Sequence, residues 1–226
     1  MLEEEQNGRP AAELEAEQPP EPPSLDPEAR ERRDAALSLI RTFGDPALKS
    51  KTLEVTEFDD ALAEEVARMG RLMSDAIGLG LAAPQVGVMH RVLVYRVGYD
   101  APLVAVVNPA LEWSSTELET AEEGCLSLPG VALDVERPVH VRIRARDEQG
   151  GEIVIEASGL EARVIQHEMD HLDGILIIDR ANREQRKEAL RILREGAEVL
   201  EPRALGRRDG NGGSGAAAGS EAVPAG

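Results

Sequence analysis

The chain has a single cysteine, Cys125, among its 226 residues. No disulfide can close within it, which fits a reducing compartment and leaves the thiol as either a small buried hydrophobe or a ligand. No run of about 20 apolar residues occurs, so no segment reads as a membrane-spanning helix. The opening residues, MLEEEQNGRPAAELEAEQ, lack the apolar core of a secretory leader and the basic character of a transit peptide. The expected location is cytoplasmic, with no membrane partner. Positive charge is scarce: 25 Lys and Arg stand against 43 Asp and Glu, a formal charge of −18. That balance argues against non-specific binding to nucleic acid.

The acidity is unevenly placed. Residues 1–31 hold ten Asp or Glu, two Arg and six of the 14 prolines. Such a segment cannot bury enough apolar surface to offset the entropy of ordering. We therefore expect a disordered acidic, Pro-rich extension over 1–35. A folded domain should follow over 36–200, and then a flexible tail over 201–226 holding seven of the 21 glycines. Hydrophobic residues make up 42% of the chain, which suits a folded domain.

Periodicity organises that domain. Leu62, Val66, Met69, Met73 and Ile77 fall at helical spacing ahead of a Gly78 stop. Strand-rich runs cover 91–97, 102–108, 139–147 and 152–157, the last two flanking EQGG as an antiparallel hairpin. Ser158 and Glu161 have the spacing of a capping box ahead of LEARVIQHEMDHLD, which Gly174 closes. A final amphipathic helix is expected over 182–200. The fold class is α+β: antiparallel sheets packed around a central helix, with an N-terminal and a C-terminal helix.

HEMDH, residues 167–171, lies within the central helix. Histidines four apart sit one above the other, so His167 and His171 can reach one metal ion, and Glu168 is placed to move protons for a water there. A catalytic site needs a third ligand. The position where the metzincin pattern requires histidine is Ile177, so that completion fails. Glu184 and Glu188 follow in a charged helix of solvated appearance; with either, the chain would be a zinc peptidase. His90 and His140 lie at a turn and in a strand. Cys125, in EEGCLSLPG, completes a Cys-His-His set suited to zinc or ferrous iron.

GLGLAAPQ (78–85) satisfies the spacing G-x-G-x-x-A of a dinucleotide-binding turn. It follows a helix and precedes a strand, the reverse of what that motif requires. Taken in order, GLGLAAPQ, EGCLS (123–127) and QHEMDH (166–171) resemble the peptide deformylase family over about residues 37–195. One departure is Ile77, where family members commonly have a polar or small residue.

The resemblance implies a hydrolase that removes the N-formyl group from the formylmethionine of new polypeptides and releases formate. It implies one divalent ion held by Cys125, His167 and His171, ferrous iron natively, with zinc, nickel or cobalt able to substitute. Glu168 is then the general base and acid for metal-bound water, and the Gln85 amide and Leu126 N–H stabilise the oxyanion. Leu79, Gly80 and Gly124 would bind the peptide, with Leu79, Leu126 and Val164 lining a methionine pocket. The implied partners are nascent formylmethionyl peptides and, transiently, the ribosome. A further reading is a non-catalytic, ribosome-associated relative, but Glu168 and Gln85, whose loss would mark it, are both present.

Overall fold

The computed structural model describes residues 25–98 and 100–196; the expectations for 1–24 and 197–226 fall outside them. The first described element is a helix, α1 (Pro27–Leu37), which begins inside the stretch whose composition reads as disordered. Local chemistry overrides composition here. Asp26 caps the helix by accepting from the Ala29 N–H at 2.7 Å, Pro27 occupies the first turn, and Ala36 is buried in the core.

Helix α2 (Asp60–Asp75) turns Leu62, Val66, Met69 and Met73 inward, as their spacing predicts. Ile77 departs from that stripe. It lies beyond the helix with φ of 60°, and its side chain is exposed.

The strands are β1 (Gly80–Ala82), β2 (Val92–Tyr95), β3 (Val104–Ser114), β4 (Leu118–Gly124), β5 (Ala132–Pro138), β6 (His140–Arg146) and β7 (Glu152–Ser158). Five of them form an antiparallel sheet in the order β1-β2-β3-β6-β7. The hairpin across EQGG is the β6–β7 pair. Strand β3 runs through Pro109, further than its apolar run suggests. Register shifts there, and the left-handed Asn108, accommodate a residue that cannot donate to the ladder.

β4 and β5 pair with each other in a separate two-stranded sheet that the sequence reading does not separate from loop. Helix α3 (Gly159–Leu172) carries HEMDH. Ser158 precedes it, but the expected capping box does not form: the Ser158 hydroxyl meets His140 Nδ1 at 2.8 Å, and Glu161 accepts from the Tyr95 hydroxyl at 2.9 Å. Gly174, left-handed at φ 72°, ends the helix as expected. Two helices follow, α4 (Ile177–Arg180) and α5 (Arg183–Glu195).

Three apolar clusters hold these parts together. One face of the five-stranded sheet packs Leu81, Val92 and Val94 against α2. The other packs Leu93, Tyr95, Val106 and Ile143 against Ala162, Ile165 and Leu172 of α3. Leu133 and Val135 of β5 meet Ile177, Ile178 and Ala189. Helix α3 thus lies between the large sheet and the β4–β5 hairpin, the expected α+β plan. Among the described residues, no helix is long and apolar enough to cross a membrane.

Candidate metal centre and active site

Two separate segments deliver the cluster. Cys125 follows the last residue of β4, while His167 and His171 are one turn apart on α3. Their ligand atoms all lie within 4.8 Å of one another, and Cys125 Sγ is 3.3 Å from His171 Nε2. A thiolate and two imidazoles converging on one point suit a divalent ion of the zinc or ferrous type and leave coordination positions for water. Glu184 and Glu188 are not among these residues. Glu188 instead pairs with Arg191 on the exposed face of α5.

A charged network anchors one ligand. His167 Nδ1 lies 3.0 Å from Glu123 Oε2, which turns Nε2 toward the cluster. Glu123 also accepts two bonds from Arg137, at 2.6 and 2.8 Å, and one from Arg163 at 2.8 Å. Arg137 reaches Asp170 at 2.9 Å, and Arg180 closes on the same carboxylate. Arg163 donates further to the carbonyls of Val135 and Glu119. Burial alone would raise the Glu123 carboxyl; the bonds from Arg137 and His167 outweigh it and hold it at about 2. The network ties α3 to the β4–β5 hairpin, the two elements that carry the three ligands. Sequence reasoning missed it, although Glu123 and Asp170 stand inside the quoted motifs.

Glu168 has a different setting. It is buried, and its Oε2 has no hydrogen-bond partner. Burial pushes its carboxyl up to about 7. A Cβ on Gly80 would lie 2.5 Å from Glu168 Oε1, so glycine at 80 is what lets the edge strand β1 approach the carboxylate. Gln85 is buried beside the cluster. Its Oε1 accepts from the Ala82 N–H at 2.8 Å, which orients the amide so that Nε2 faces Ser127 Oγ at 3.2 Å and Cys125 Sγ at 3.9 Å.

The remaining expected site residues divide. Gly124 has open space around its Cα, Leu79 is exposed, and Leu126 is half-buried against Gly78. Val164 is buried within the core cluster of α3. The structure therefore gathers Cys125, His167, His171, Glu168, Gln85 and Gly80 around one point.

The polypeptide deformylase family profile matches residues 37–187. The chain belongs to this family. The peptide deformylase of Natranaerobius thermophilus is 48% identical over 153 residues, which cover 68% of this chain and 97% of that protein. That of Acidothermus cellulolyticus is 46% identical over 160 residues, covering 71% and 87%. Among solved structures, the Synechococcus elongatus peptide deformylase in complex with actinonin matches at a TM-score of 0.66 and 42% identity, covering 71% of this chain and 88% of that one. The Legionella pneumophila peptide deformylase matches at 0.67 and 36%, covering 70% and 93%.

Proposed function

We infer that the chain acts as its family does, hydrolysing the formyl amide at the N-terminus of formylmethionyl nascent peptides and releasing formate. The observation that carries this is the meeting of Cys125, His167 and His171 beside a buried carboxylate with no hydrogen-bond partner on Oε2.

A divalent ion held by those three residues would supply Lewis acidity toward water and the formyl oxygen; the donor set suits zinc or ferrous iron alike, and the resemblance to the family supports ferrous iron as the native ion. Glu168 takes a proton from the attacking water. With its pKa raised to about 7 it can return that proton to the amine nitrogen as the C–N bond breaks. The Gln85 amide, locked by Ala82, and the Leu126 backbone N–H receive the charge that develops on the formyl oxygen. The segment at Leu79 and Gly80, together with Gly124, binds the peptide backbone, and Leu79 and Leu126 contact the methionine side chain. The substrate class supports a cytoplasmic enzyme that meets its peptides at the ribosome.

Formate release from a formyl-Met peptide, set beside cleavage of its unformylated counterpart, tests the assignment. Formate from the first with no cleavage of the second is expected. Peptide-bond cleavage without formate would make the chain a peptidase.

A further inference from the structure

Helix α2 ends in a Schellman motif that is out of step with its glycine. Gly78 N–H donates to Met73 O at 2.9 Å and Ile77 N–H to Ser74 O at 3.1 Å. Those two bonds place Ile77, not Gly78, at the left-handed position, where its φ is 60°. Gly or Asn ordinarily stands there, because a Cβ crowds the backbone and a β-branched residue crowds it most. Packing does not offset the strain, since Ile77 is 46% exposed. The glycine at 78 answers a different need: a Cβ there would lie 3.0 Å from Leu126 Cδ1.

The strained residue stands just before the edge strand that reaches the active site. Gly80 is buried against Glu168, Leu79 is 37% exposed, and Ile77 is more exposed still. Exposure rises from the carboxylate toward solvent along residues 80 to 77, at most about 10 Å of chain. One edge of β1 pairs with β2; among the described residues the other has no sheet partner. On the deformylase reading, on which this inference rests, a peptide whose formyl group is at Glu168 leaves along that free edge. The residues after its methionine then continue beyond Leu79 past Ile77.

We propose that Ile77 is a specificity-determining residue. Next to Leu79, which contacts the methionine, it forms an apolar rim that contacts the side chains of the second and third residues of the formylmethionyl chain and favours apolar ones there. Strain that the fold does not need persists where binding uses the residue.

The test compares the full-length, metal-loaded chain with Ile77→Asn. Asparagine tolerates the left-handed backbone but offers little apolar surface. Formate release is measured from formyl-Met-Leu-Leu-amide and formyl-Met-Ser-Ser-amide, and the melting temperature of each protein is recorded. The wild type should prefer the leucine peptide by about tenfold in kcat/KM, the worth of roughly two methylenes of contact. In the variant that preference should fall to within about threefold, through KM, while the melting temperature rises by about 2–4 °C as the strain is relieved. A wild type without the preference, or a variant that keeps it, overturns the proposal. So does a lower melting temperature, which would make Ile77 a packing residue. Absence of formate from both peptides with the wild type would overturn the deformylase reading, and this inference with it.

Discussion

Replacing Glu123 with glutamine leaves the side chain's shape nearly unchanged and removes one charge. Four donor contacts converge on its two oxygens: two from Arg137, one from Arg163 and one from His167. A glutamine must present an amide N–H₂ to some of those donors, so at least one bond becomes a donor–donor clash. Arg137 is 2% exposed and Arg163 9%. Without Glu123, Arg137 keeps Asp170 as its one charged partner among the described residues, and Arg163 keeps the exposed Glu119 and two carbonyls. Breaking a buried pair in this way costs about 3–5 kcal/mol.

The pH dependence of stability follows from the same contacts. Glu123 sits at about 2 in the folded protein against an ordinary 4.5. Because the folded value is the lower one, the stabilisation is complete above pH 4.5 and is lost as pH falls toward 2. That gap corresponds to a few kcal/mol, of the same order. Urea denaturation at pH 7 should therefore show the Glu123→Gln midpoint lowered by about 1–2 M. The difference from wild type should shrink between pH 5 and 2. A midpoint shift below about 0.5 M, or a difference that stays constant down to pH 2, would refute the reasoning.

Other outcomes follow from the site. Glu168→Gln should bind metal at wild-type stoichiometry while kcat/KM falls by at least about 100-fold. The acid limb of the pH–rate profile, set at or below pH 7 because a bound cation favours the carboxylate, should vanish with it. Cys125→Ala should lose both bound metal and activity, measured by elemental analysis and formate release; retained stoichiometric metal would place the third ligand elsewhere. Gly80→Ala puts a methyl 2.5 Å from Glu168 Oε1, so the carboxylate must move. A drop in kcat of at least about tenfold, with an unchanged circular dichroism spectrum, is expected.

Elements whose pattern is local were legible. Helix α2 buries its apolar stripe, and β6–β7 turns where EQGG predicts. The β4–β5 hairpin was not, and its residues show why. β5 points Leu133, Val135 and Arg137 inward in strict alternation, and the third of these is an arginine. Its inward position makes sense only beside Glu123, fourteen residues away, and Asp170, on another element. The same limit explains α1, where the Asp26 cap and a few buried residues outweigh an acidic average, and the failed capping box, where Ser158 and Glu161 found tertiary partners instead.

The metal ligands were legible because their signal is partly local and partly chemical: histidines one turn apart, then one thiol and no better third candidate. What separates the two carboxylates near His167 was not legible at all. Glu123 and Glu168 are about equally buried, at 5% and 4% exposure. One is held at about 2 and the other pushed to about 7. Burial raises both; only Glu123 has guanidinium donors in direct contact, and Glu168 has an oxygen with no partner. An ionised, fully bonded carboxylate can orient an imidazole but is a poor proton acceptor near neutral pH. A carboxylate near 7 can take and return a proton. The division of labour between holding His167 and carrying the proton therefore follows from hydrogen-bond partners drawn from three segments, β4, β5 and α3, a property of the fold that no motif spells out.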